Sequence, residues 1–178
     1  MSNGKTLYVV VCAAGPAADV GFLIDQAHEQ GWTVQVISTP NALAFIDTEA
    51  LEKQTGCPVR SAHRKPGSPR SPKADAIIIA PATFNTINKL ANGIADTYAL
   101  DVVNEAIGLG IPVVILPFVN SAYANRAPFQ RSVELLRKEG IPVLIGPEVF
   151  EPHKSGSGRE NTAHFPWSAP LNEITFKQ

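Results

Sequence analysis

Residues 76–93, Ala76-Ile77-Ile78-Ile79-Ala80-Pro81-Ala82-Thr83-Phe84-Asn85-Thr86-Ile87-Asn88-Lys89-Leu90-Ala91-Asn92-Gly93, decide how this chain folds. The apolar run Ala76 to Ala80 reads as a strand buried on both faces. A short polar turn follows, and a helical pattern covers about Asn85 to Gly93. Strands of this kind belong in a parallel sheet covered by helices on both sides. In open parallel sheets ligands bind at the carboxyl ends of the strands. Helix N-termini there turn unpaired N–H groups toward an anion, and Thr83, Asn85 and Thr86 add side-chain donors.

The same rhythm extends in both directions. Leu7 to Cys12 reads as a strand ending in the turn Ala13-Ala14-Gly15-Pro16. Asp19 is expected to cap a helix carrying Val20, Leu23, Ile24 and Ala27, stopped at Gly31. Thr33 to Ile37 is a second strand, followed by the turn Thr39-Pro40-Asn41 and helical turns with Ala42, Phe45, Ile46 and Leu51 inward. A helix over about Asp96 to Gly108 leads to a strand at Pro112 to Leu116. A helix over about Pro128 to Glu139 then leads to a fifth strand at Ile141 to Ile145. The expectation is an α/β chain with a single Rossmann-like or flavodoxin-like three-layer domain and a mostly parallel sheet, with right-handed crossovers. Residues 1–147 form that domain, and 148–178 form a tail rich in Pro, Gly, Ser and His.

Composition narrows the function. The 178 residues carry a net charge of -1, which gives no global attraction to nucleic acid or to an anionic membrane. Two cysteines, Cys12 and Cys57, are too few for a disulfide framework and lack metal-ligand spacing. His153 and His164 have no third ligand at recognisable spacing, so no metal site is expected. No apolar run is long enough to span a bilayer and no signal-peptide core stands at the N-terminus, so a cytoplasmic protein is expected. The first strand-turn-helix lacks Gly-x-Gly-x-x-Gly, which disfavours a dinucleotide. Three turns, Gly15-Pro16-Ala17, Thr39-Pro40-Asn41 and Thr83-Phe84-Asn85-Thr86, should converge on one phosphate-bearing mononucleotide. Residues 57–73 break the rhythm with Pro58, Pro66, Pro69 and Pro72 among Arg60, His63, Arg64, Lys65, Arg70 and Lys73. No aromatic residues interleave with these charges, which argues against a nucleic-acid surface.

The stretch Pro81-Ala82-Thr83-Phe84-Asn85-Thr86, with Lys89-Leu90-Ala91-Asn92-Gly93-Ile94-Ala95-Asp96 after it, resembles the Pro-Ala-Ser-Ala-Asn-Thr signature of the flavin-containing cysteine decarboxylases. That family includes phosphopantothenoylcysteine decarboxylase and enzymes that oxidatively decarboxylate a C-terminal cysteine of peptides. The resemblance covers about Leu7 to Ile145 and implies FMN as cofactor. It implies cofactor contacts from Gly15, Pro16, Thr39, Asn41, Phe45, Pro81, Ala82, Thr83, Asn85 and Thr86. Thr39, Ala42 and Phe45 match a family pattern, while Asn41 stands where serine is common.

A second family motif, Pro-x-Met-Asn-x-x-Met-Trp, reads here Pro117-Phe118-Val119-Asn120-Ser121-Ala122-Tyr123-Ala124. Pro117 and Asn120 match, and Asn120 takes the position that holds the substrate carboxylate. The family's catalytic histidine, about fourteen residues before the signature proline, falls on Gly67. His63 is the histidine of that loop and the candidate base.

Ser155-Gly156-Ser157-Gly158-Arg159 resembles the family's substrate clamp but has no cysteine, and His153, His164 and Trp167 could instead pack on a neighbouring subunit. The implied activity is decarboxylation of a peptide or small-molecule thiol, a lyase or oxidoreductase reaction. The implied assembly is a homo-oligomer, a trimer or dodecamer. A flavin prenyltransferase-like enzyme and a non-catalytic flavin-binding subunit are the alternatives.

Overall fold

The computed structural model describes residues 4–67 and 70–174, so Pro69 of the basic segment lies outside it. Four strands, β1 (Thr6–Val11), β2 (Thr33–Ser38), β3 (Ala76–Ala82) and β4 (Val113–Pro117), form one sheet in the order β2-β1-β3-β4. Each pairing is parallel, with Leu7 opposite Val34 and Ala76, and Ile78 opposite Val114. β1 and β3 are buried along their whole length, as strands covered on both faces must be.

Alternation along the strands feeds two cores. Leu7, Val9, Val11, Ile78 and Ala80 face the helix α1 (Gly21–Glu29) and the carboxy-terminal segment. Tyr8, Val10, Ile77 and Ile79 face the other layer. That layer is built from α3 (Phe84–Ala91), α4 (Tyr98–Gly108) and α6 (Ala127–Lys138); α2 (Thr48–Thr55) precedes them in sequence, and the single turn α5 (Ser121–Ala124) lies between α4 and α6. The Ser132 hydroxyl donates to Asn88 Oδ1 at 2.7 Å and ties α6 to α3.

The structure departs from expectation at four places. The fifth strand contracts to one parallel bridge, Ile115 with Val143. Pro142 explains this: it lends only its carbonyl, to the N–H of Ile115 at 2.9 Å, and has no N–H to continue a ladder. Asp19 does not cap α1. Pro16 seeds a 3₁₀ turn over Gly15–Asp19, and Val20, already helical, precedes α1 with no side-chain cap. Phe45 is not inward. It ends the 3₁₀ turn Pro40–Ala44 and is 46% exposed, whereas Ala42 and Leu51 are buried. Trp167, finally, packs within its own chain, 7% exposed beside Phe165 and Leu171. Phe165 and Trp167 precede α8 (Ala169–Asn172), which carries Leu171 and follows the single turn α7 (Gly158–Asn161).

Candidate functional site

The sheet changes direction between β1 and β3: the chain leaves β1 for β2 on one side and leaves β3 for β4 on the other. A crevice opens at such a reversal beyond the carboxyl ends of the strands. Backbone bonds lock its floor. The Cys12 N–H donates to the Pro81 carbonyl at 3.1 Å, Thr39 N–H to Val11 at 3.0 Å, and Phe118 N–H to Ala82 at 2.9 Å. The turns after β1, β2 and β3 are thereby brought together.

The predicted residues divide by task. β3 runs on through Pro81 and Ala82, which are buried strand residues forming the floor. Thr83 is the N-cap of α3, its hydroxyl oxygen accepting the Thr86 N–H at 3.3 Å. Thr86 is buried, and its hydroxyl accepts from Cys12 Sγ at 3.4 Å and from Thr83 Oγ1 at 3.1 Å, so it braces the turn. With the third N–H of the helix taken, those of Phe84 and Asn85 remain for a ligand. Asn85, Asn41, Phe45 and Gly15 are exposed at this end, Thr39 is half-buried, and Pro16 is buried beneath its turn. Burial pushes the Cys12 thiol up from its usual range, with the hydrogen bond to Thr86 opposing, so it stays protonated and inert.

Asn120 sits beyond β4 as the N-cap of α5, its Oδ1 accepting the Tyr123 N–H at 3.0 Å. Residues 150–165 then cross this end of the molecule as a strap. Asn120 and His153 form a parallel bridge, and Ser121 N–H donates to the His153 carbonyl at 2.7 Å. The His153 ring lies 4.6 Å from that of Phe118, and Phe118 also meets Phe150 and Phe165. The strap reaches the first turn as well: a Cβ on Gly15 would stand 2.9 Å from Thr162 Cγ2 and 3.3 Å from Phe118 Cε1. From the sequence His153 is expected only to pack, since metal ligation lacks a third ligand. The one signal that could have raised its rank was its place just ahead of the clamp-like glycines.

His63 is elsewhere. It packs edge-on against Tyr98 at 5.1 Å and lies 3.8 Å from the Asp101 carboxylate. Its segment starts as an extra bridge on β2, Ile37 with Arg60, and ends with Pro72 accepting from the Tyr8 hydroxyl at 2.6 Å. Between them lies a cavity of about 690 Å³ lined by Tyr8, Arg60, His63, Arg64, Tyr98 and Ile111 among others. Tyr8 and Ile111 place it toward the amino-terminal half of the sheet, so within one chain His63 does not join Thr83, Asn85 and Asn120. Burial raises the Tyr8 and Tyr98 phenols above their usual value and keeps them as neutral donors. Among the described residues no cluster suited to a metal ion occurs and no helix is long and apolar enough to cross a membrane.

A parallel sheet of this order, with neutral phosphate-suited turns at its reversal, defines a flavodoxin-like α/β protein that binds a nucleotide cofactor. The chain belongs to the Flavoprotein family, whose model matches residues 1–164. It is 32% identical over 135 residues to a probable phosphopantothenoylcysteine decarboxylase of Streptococcus mutans serotype c, covering 72% of this chain and 73% of that one. It is 29% identical over 147 residues to the coenzyme A biosynthesis bifunctional protein CoaBC of Thermococcus kodakarensis, covering 79% of this chain and 36% of that one. The chain thus spans about a third of the length of this bifunctional relative. Among solved structures it resembles the FMN-dependent cysteine decarboxylase TvaF from thioviridamide biosynthesis, with a TM-score of 0.70 and 27% identity over 78% of this chain and 88% of that one.

Proposed function

We propose that this protein binds FMN at the β1/β3 crevice and oxidatively decarboxylates a cysteine-type thiol, either the C-terminal cysteine of a peptide or a related small molecule. The observation that carries this reading is the pair formed by the capped α3 turn and Asn120 at one end of the sheet. The residues present fit the cofactor. The free N–H groups of Phe84 and Asn85 and the Thr39 hydroxyl suit a phosphate. Gly15 faces the strap so closely that a Cβ would fill the space, and exposed Phe45 offers a flat apolar face to a ring system. When bound, FMN supplies a two-electron acceptor that the side chains lack.

The chain's own residues bind and orient. Asn120 Oδ1 is occupied by the Tyr123 N–H, so its amide nitrogen is the end available to donate to a substrate carboxylate. Buried Phe118, in contact with the His153 ring of the strap, would shield one side of that position. His63, set apart on Tyr98 and Asp101, would reach this site only across a subunit contact of the proposed homo-oligomer. Val119, Tyr123 and Ala124, where the second motif has Met, Met and Trp, favour as a second reading a subunit that binds flavin without turning over.

The test is the visible spectrum of the purified protein before and after anaerobic addition of peptides ending in cysteine, with CO₂ measured in parallel. Loss of the flavin bands with CO₂ release is the expected result. Flavin that binds and stays oxidised favours the non-catalytic reading, and failure to bind added FMN overturns the cofactor assignment.

A further inference from the structure

The family position for a loop histidine holds Gly67 here, yet the backbone of another histidine, His153, bridges to that of Asn120. We infer that His153, carried by the strap, is the group that contacts the thiol substrate and holds its proton; the inference rests on the decarboxylase reading above. Four observations support it. The backbone bridge to Asn120 and the 2.7 Å bond from Ser121 fix the residue against the proposed carboxylate site. The Phe118 ring 4.6 Å away fixes the imidazole's plane. Position 158 is glycine, and a Cβ there would press to 3.2 Å on His153 Nε2, so the closed strap leaves no room for a larger residue on that side. The remaining nitrogen, Nδ1, is shut off from solvent and has no hydrogen-bond partner among the described residues.

An orphaned buried nitrogen costs about 1–3 kcal/mol, which a ligand that pairs with it would recover. Asn120 donates at the same place, and a ligand carrying both a carboxylate and a thiol would satisfy both groups. Burial also lowers the affinity of this imidazole for a proton, so it is neutral near pH 7 and can accept one. In the step assigned here the thiol proton would pass to the His153 imidazole as the substrate seats beneath the strap, and bound FMN would accept the hydride lost from the adjacent C–H bond, giving a thioaldehyde. Loss of CO₂ from that thioaldehyde produces an enethiolate, and His153 returns the proton to sulfur. The balance is one substrate and one oxidised flavin in, and one enethiol, one CO₂ and one reduced flavin out.

The experiment compares the flavin-loaded wild type with His153→Asn and His153→Gln, first checking that flavin affinity and melting temperature are retained. Histidine NMR signals are then followed during titration with a peptide ending in cysteine and with its serine-ending analogue, which cannot be oxidised. The expected result is a peptide-dependent shift of the His153 signals in the wild type and at least tenfold weaker binding of both peptides in the variants. Undiminished peptide binding and unchanged anaerobic bleaching in both variants would overturn the assignment. A wild type that binds flavin and the serine peptide through His153 but never bleaches would instead defeat the decarboxylase reading while leaving His153 as a ligand contact.

Discussion

Thr83 closes the first turn of α3 with one hydroxyl, accepting the Thr86 N–H while pointing its proton at the Thr86 oxygen. Replacement by alanine frees that N–H and removes the brace beneath Cys12. Thr83→Ala is expected to lower stability by about 1 kcal/mol and to weaken flavin binding, whereas Thr83→Ser should keep both; urea unfolding and flavin titration check this. His153 gives a second expectation. Its folded pKa lies below the ordinary 6.5 because burial disfavours the cation. The unfolded chain therefore binds the proton first on acidification. Stability should fall as pH drops below about 6.5 and level off once the folded pKa has been passed. Urea midpoints across that range for wild type and His153→Phe should differ in slope, the variant being flatter.

Elements differed in how readily they could be read. Ala76 to Ala80 announces β3 because a strand buried on both faces has no polar alternation to confuse it. The turn after it was equally readable, since Thr83 is both a cap and part of a motif. Phe45 misleads because an apolar side chain in a helical pattern points inward by default, and here it lies exposed where the 3₁₀ turn ends. The segment 150–174 could not be assigned in advance: its aromatic residues follow no helix or strand period and pack by three-dimensional shape alone. Trp167→Ala should accordingly cost about 3–5 kcal/mol, a loss usually associated with the middle of a domain, measurable by urea unfolding. Gly15→Ala should push Thr162 away and make residues 151–164 cleave faster in limited proteolysis, with the sheet left intact.

At the scale of the molecule, all the described strands run one way and the open polar turns gather at one end, which is where the proposed cofactor and substrate positions lie. Binding to the folded state alone should raise stability by about 2.7 kcal/mol at a hundredfold excess of FMN over Kd. A melting temperature that climbs with FMN concentration would register it. The strap across that end is held at two posts, the Gly146–Phe150 bridge on one side and buried Phe165 and Trp167 on the other. A span pinned at both ends surrenders little conformational freedom when it settles over a guest, since most of that entropy was lost when the domain folded. Selectivity here would then come from what fits beneath an arch of fixed girth, and long or bulky guests would be turned away by steric fit rather than by slow ordering.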